Sequence, residues 1–140
     1  MFLGEERRGL DDKGRLIFPS KMRDELGSAV VLQKGIERCL YVYPIGEWTR
    51  QVEKVTSLPT THPDSRRYAR HFFSQATQEA LDKQNRITIP PSFRGYAGLE
   101  REVVVAGAGA RLEIWEPEAW RRQAEQAESD LPDFTQELGI

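Results

Sequence analysis

Two aspartates and two arginines recur at one spacing. The first pair lies in Asp11-Asp12-Lys13-Gly14-Arg15, the second in Asp82-Lys83-Gln84-Asn85-Arg86. A guanidinium is a planar fork of donors that fits guanine O6 and N7, or a phosphate. An aspartate four residues earlier can hold that fork in place and limit the entropy lost on binding. A single copy would favour an internal ion pair that only fixes a loop. Two copies, the first with Lys13 beside its arginine, favour recognition of an anion. Asp11 and Asp82 are also a carboxylate pair that pseudo-symmetry could bring together. Each, however, has its own turn to close and its own arginine to orient.

The elements that must position these residues are themselves repeated. Residues 10–27 and 81–98 match in register at Leu, Asp, Arg, Pro, Arg and Gly. Two copies are too few for a solenoid and imply a pseudo-symmetric pair. Gly14 and Asn85 fit a turn that enters left-handed backbone. A short strand follows. Strand side chains alternate, so Leu16 and Phe18 share one face, and Arg15 and Ile17 the other. Ile87 and Ile89 take the apolar face of the second copy, opposite Arg86 and Thr88. Pro19 or Pro90 ends the strand, having no N–H for a ladder. A helix of one or two turns comes next, with Ser20 as its expected N-cap in one copy and Pro91 in the first helical position of the other. Gly27 and Gly98 stand where a glycine stops a helix.

The repeat extends further. Residues 29–33 and 39–43 read as strands, and their counterparts are 102–105 and 112–115. Residues 107–109 form the hairpin turn between the last two. Glu5–Gly9 fits an edge strand. Trp48 and Trp120 each follow a proline and open a helical pattern, and both read as core anchors. Between the units, residues 57–63 form a linker by composition. Asp64 is the expected cap of a helix from Ser65 to about Ala76. Its apolar stripe holds Tyr68, Phe72 and Phe73, and Arg67, Arg70 and His71 lie on another face. Past residue 128 the chain is acidic and interrupted by Pro132, which points to a poorly ordered or loosely docked tail.

Composition narrows the classes. The chain has 140 residues, 20 basic and 22 acidic, with a net charge of −2. Residues 116–140 hold seven acids and two bases, which leaves 18 bases and 15 acids in the body. A mildly basic body is compatible with DNA binding if a few cations are concentrated. No apolar run approaches a membrane span, and the acidic start has no signal-peptide core. Cys39 is the only cysteine, so no internal disulfide forms and a reducing cytoplasm is expected. His62 and His71 lack ligand partners at metal spacing. No catalytic constellation is legible, so the chain is not expected to be an enzyme. No cofactor, metal or small-molecule ligand is expected.

The Asp-x-Lys-Gly-Arg stretch running into an apolar strand, a proline and a short helix resembles the half-unit of the AbrB-type swapped-hairpin barrel. Two such units separated by a helical linker resemble the MraZ family. So do Met1-Phe2-x-Gly4, Tyr43-Pro44-x-x-x-Trp48, Arg66-Arg67 and Leu112-Glu113-Ile114-Trp115. The resemblance covers about residues 1–126. It implies a mainly β, α+β fold: a double-psi or swapped-hairpin AbrB-like barrel of two tandem β-β-α-β units, with linker helices and a C-terminal helix. The expected segments are a first SpoVT-AbrB-type unit at 5–49, a helical linker at 50–77, a second unit at 78–121 and an acidic tail at 122–140.

The same resemblance implies a transcriptional regulator, generally a repressor, of the division and cell-wall gene cluster. It would read G-rich direct repeats in its own promoter as a ring of identical chains, in the cytoplasm and on the nucleoid. Arg15 and Arg86 match the family's DNA-contacting arginines, and Lys13 its basic residue. Lys83 and Gln84 complete the expected DNA-binding set, with Asp11 and Asp82 orienting the loops. Gln84 stands where the family has lysine and Asn85 where it has glycine. The expectation is therefore that Arg15 with Lys13 dominates and Arg86 adds a weaker contact. The rivals are an antitoxin-like relative that binds a toxin through residues 116–140, and a scaffold that binds no DNA.

Overall fold

A computed structural model describes all 140 residues. In chain order the elements are β1 (Glu5–Gly9), β2 (Arg15–Ile17), α1 (Ser20–Leu26), β3 (Ala29–Lys34), β4 (Leu40–Pro44), α2 (Ile45–Thr56), α3 (Pro63–Ser74), β5 (Ala76–Ala80), β6 (Arg86–Thr88), α4 (Pro91–Ala97), β7 (Glu102–Gly107), β8 (Leu112–Trp115) and α5 (Pro117–Leu138). The class is mixed α+β, built on antiparallel pairing. Each repeat carries β-β-α-β-β followed by a helix, one strand more than the β-β-α-β expected.

Six strands form a sheet in the order β1-β7-β8-β4-β3-β5, which stays open at β1 and β5. β2 and β6 make a separate two-stranded ribbon. The order reads the same when the two repeats are exchanged. Leu16 faces its own counterpart Ile87 in the ribbon, and Tyr41 faces Glu113 in the sheet. A pseudo-twofold axis passes through both pairs. β1 pairs with β7 and β5 with β3, so each repeat gives its first strand to the other.

Alternation along the strands builds two apolar layers. One face of the sheet gives Val30, Leu32, Leu40, Val42, Val103, Val105, Leu112 and Ile114 to a core that also takes in Leu16, Phe18, Ile87 and Ile89. Each such side chain contributes about 1.5–3 kcal/mol when fully buried. The other face presents Val31, Cys39, Tyr41, Tyr43, Val104 and Trp115, packed against Trp48 and Trp120. Trp48 stacks on Phe72 at 4.8 Å and 4° between planes, which fastens α2 to α3. Trp120 meets Trp115 edge-on at 5.8 Å, and its indole N–H donates to Glu5 at 2.7 Å. Both tryptophans are half-buried anchors, as their spacing implied.

Several local expectations need correction. Ser20 is not a cap: α1 begins at it, Pro19 precedes it, and no side chain caps the end. Asp64 is not the cap of α3. The His62 ring Nδ1 accepts from the Asp64 N–H instead, and Asp64 sits in the first turn, where a carboxylate meets the positive helix end. α3 ends at Ser74, and Ala76 already belongs to β5. The tail is helical rather than poorly ordered and is not stopped by Pro132, while the loose docking offered as the alternative fits a helix with no buried residue. α5 runs through it to Leu138, and Gly139 in left-handed backbone ends the helix. Proline removes one helical hydrogen bond. Here the carbonyl four residues earlier belongs to Glu128 on an exposed stretch, where water can satisfy it. No helix is long and apolar enough to cross a membrane.

Candidate nucleic-acid interface

Both Asp-x-x-x-Arg segments fold into the same turn, and the aspartate builds it. In the first, Asp11 Oδ1 accepts from the backbone N–H of Lys13 at 3.0 Å and of Arg15 at 2.8 Å. Its Oδ2 accepts from Arg15 Nε at 2.5 Å. In the second, Asp82 Oδ1 accepts from the N–H of Gln84 and of Arg86, each at 2.9 Å, and Oδ2 from Arg86 Nε at 2.8 Å. The residue before each arginine has positive φ, +74° at Gly14 and +59° at Asn85. Glycine takes that conformation freely, and asparagine is among the few other residues that tolerate it. The Arg15 N–H pulls the Asp11 carboxyl below its ordinary value, helped by the guanidinium and the Lys13 N–H. Arg86 and Gln84 do the same to Asp82.

Each aspartate engages only the Nε edge of its arginine. The two Nη groups of Arg15 and of Arg86 donate to no atom of the chain. Both guanidiniums are thus oriented on one side and open on the side that can grip a ligand.

The ribbon brings the two arginines together. Its register pairs Arg15 with Thr88, Leu16 with Ile87, and Ile17 with Arg86. Leu16 and Ile87 point into the core at 0% and 1% exposure. Alternation therefore puts Arg15, Ile17, Arg86 and Thr88 together on the outer face. Arg15 and Arg86 are diagonal neighbours there, a relation that places positions about 7–8 Å apart. Lys13, Lys83 and Gln84 are exposed on the flanking turns. A two-stranded ribbon of this width is one of the elements that the DNA major groove admits. Three residues of this surface escaped the sequence-based set. Ile17 and Thr88 complete the outer face, and strand alternation had already placed each beside its arginine.

The third is Arg94, on α4. Its Nε donates to the Ile89 carbonyl at 2.9 Å, and its guanidinium lies against the Gly14 turn. A Cβ on Gly14 would fall 2.6 Å from that Nε. Ile89 N–H also donates to the Gly14 carbonyl at 2.9 Å. The first turn is thus clamped by the second repeat. Arg23 makes the equivalent bond, to Phe18 O at 3.0 Å.

The halves seen in the sheet reappear in comparisons with known proteins. The MraZ family model, described as "MraZ protein, putative antitoxin-like", matches residues 1–71 and again 72–138. The second match begins shortly before β5. Curated relatives are similar along nearly their whole length. "Transcriptional regulator MraZ" of Salinispora arenicola is 49% identical over 134 residues, covering 96% of this chain and 94% of the relative. Proteins of the same name from Kineococcus radiotolerans and Frankia alni are 46% and 48% identical, each covering 99% of this chain and 96% of the relative. With both halves matched and such relatives spanning it almost end to end, the chain belongs to the MraZ family.

Proposed function

We propose that this protein is a DNA-binding transcriptional regulator, as its relatives are named, and that it does not work as an enzyme. The observation that carries the proposal is the outer face of the β2–β6 ribbon, with two pre-oriented, half-open arginines about a pseudo-twofold axis. Arg15, Arg86, Lys13, Lys83 and Gln84 contact DNA, and Asp11 and Asp82 hold the loops. The finer picture follows the family resemblance: repression of the division and cell-wall gene cluster through G-rich direct repeats in its own promoter, in the cytoplasm and on the nucleoid. Leu10, at the end of β1, is bridged to Leu16 of the ribbon, which supports an AbrB-type swapped-hairpin barrel. Units at 5–49 and 78–121, a helical linker at 50–77 and a tail at 122–140 remain our division of the chain.

Self-association completes the proposal. One bidentate arginine–guanine contact is worth about 1–3 kcal/mol. Several chains on repeated sites raise affinity through effective concentration. α5 offers the surface. Ala124, Ala127, Leu131, Phe134 and Leu138 recur at alternating three- and four-residue steps, the period of a coiled-coil seam. No residue of α5 is buried. Its counterpart α2 is covered by α3, through the stack of Trp48 on Phe72. A second copy of the chain is the occupant we assign to this face.

The test is binding to a G-rich direct-repeat promoter duplex and to a scrambled one, over a range of salt. Specific binding should collapse in Arg15→Ala while the oligomer, measured by light scattering, stays intact. Leu131→Glu with Leu138→Glu should do the reverse, reducing the oligomer first. No binding by the parent at low salt, or an unchanged Arg15→Ala, would refute the DNA role.

A further inference from the structure

We infer that Ile17 and Thr88 are specificity-determining residues, which read thymine C5-methyl groups between the guanines held by Arg15 and Arg86. The inference rests on the DNA-binding role proposed above. Its starting point is an apolar residue in an unexpected place. Ile17 is 43% exposed, on a ribbon face otherwise made of two arginines and a threonine. A single exposed isoleucine ordinarily needs no explanation. This one lies directly opposite Arg86 and two residues from Arg15, at the centre of the candidate interface. The residue related to it by the pseudo-twofold axis is Thr88, also exposed. Both repeats therefore place a β-branched, methyl-bearing side chain two residues after the arginine.

The chemistry matches the position. Thymine shows its methyl only in the major groove, and isoleucine carbons or a threonine methyl form the apolar contact that recognises it. β-Branched side chains are stiff at χ1, so these methyls are presented with little entropy to lose. Two residues along a strand span about 7 Å. That is roughly two base-pair steps, given 3.4 Å per step along a strand. The methyl reader thus lies within reach of the base pairs beside the guanine. The halves are not equivalent. Ile17 offers carbon alone and should reject a base without a methyl. The Thr88 hydroxyl can also bond a polar base edge, so the second half should be more permissive.

Deoxyuridine provides the test, because it lacks only the C5-methyl and keeps its pairing edge. Each thymine of a bound promoter duplex is replaced singly by deoxyuridine, and the Kd is read by fluorescence anisotropy. The proteins are the parent, Ile17→Ser, Ile17→Val, Thr88→Ser and Arg15→Ala. At one thymine beside the guanines, deoxyuridine should weaken the parent about three- to fivefold, the worth of one buried methyl. Ile17→Ser should bind the normal duplex more weakly by a similar factor and ignore that replacement. Ile17→Val should keep the discrimination. Thr88→Ser, which removes the methyl and keeps the hydroxyl, should lose discrimination at a second, less demanding position. If Arg15→Ala abolishes binding while no deoxyuridine matters to the parent, the methyl-reading inference is wrong and the DNA role stands. Methyl reading by Ile17 is equally overturned if Ile17→Ser stays as sensitive as the parent. A parent that binds no duplex overturns both.

Discussion

Gly14→Ala tests the clamp on the first loop, and the structure gives its size. Two effects add. The backbone at Gly14 has φ +74°, and left-handed backbone costs an L-residue about 1–2 kcal/mol. The new Cβ would also meet Arg94 Nε at 2.6 Å and Cζ at 2.7 Å. Arg94 must then leave the Ile89 carbonyl, which gives up about 1 kcal/mol for the hydrogen bond. The expected loss is about 2–3 kcal/mol, or a fall in Tm of roughly 5–10 °C for a chain of this size. Asn85 provides the control. It already carries a Cβ at φ +59°, so Asn85→Ala loses only asparagine's tolerance of that backbone and should cost about 1 kcal/mol or less. Thermal and urea unfolding at one fixed protein concentration would compare the two, since assembly makes stability concentration-dependent. A double-mutant cycle of Gly14→Ala with Arg94→Ala should show coupling of about 1 kcal/mol, because the collision disappears with its partner. Equal losses for Gly14→Ala and Asn85→Ala, or a cycle without coupling, would refute the clamp.

Acid should loosen the two Asp-x-x-x-Arg turns in a defined direction. The Asp11 and Asp82 carboxyls are held below their ordinary value in the folded chain. Their stabilising contribution is therefore present above the unfolded carboxylate value of about 3.9 and is lost as pH falls through the lower folded values. Urea midpoints followed from neutral pH downward should fall less steeply in the Asp11→Asn, Asp82→Asn double variant. Burial pushes the Cys39 thiol up to about 12. At pH 8 it should stay protonated and resist a thiol reagent in the native protein, then react once guanidinium chloride unfolds the chain. Rapid modification of the native thiol would contradict that burial.

How much was legible in advance differs from residue to residue. The turn at Gly14 and Asn85, the strand, the proline stop and the helix-ending glycines are local signals, and each has a local cause. Strand alternation likewise put Ile17 with Arg15, and Thr88 with Arg86. What alternation lacks is the partner strand. The β2–β6 pairing is a contact across 71 positions, and only it makes one surface of two loops. β5 was missed because Ala76-Thr77-Gln78-Glu79-Ala80 is polar and short of β-formers. It is a strand because β3 offers it a ladder. His62 was an unlikely cap by residue type. The extent of α5 was hidden by Pro132, although Leu131, Phe134 and Leu138 continue the seam beyond it.

The exchange of β1 and β5 between the repeats ties two copies of one design into a single chain. A homodimer built from the same half-unit would be condemned to exact symmetry, since every change to one half would appear in the other. Fusion releases that constraint, and the chain has used the freedom around the axis: Lys13 is answered by Gln84, Gly14 by Asn85, and Ile17 by Thr88. A perfectly symmetric ribbon would accept a DNA element and its inverse alike. This ribbon has a front and a back. On the DNA role proposed above, such a polar surface could tell which way a sequence runs, the property needed to recognise elements arranged head to tail.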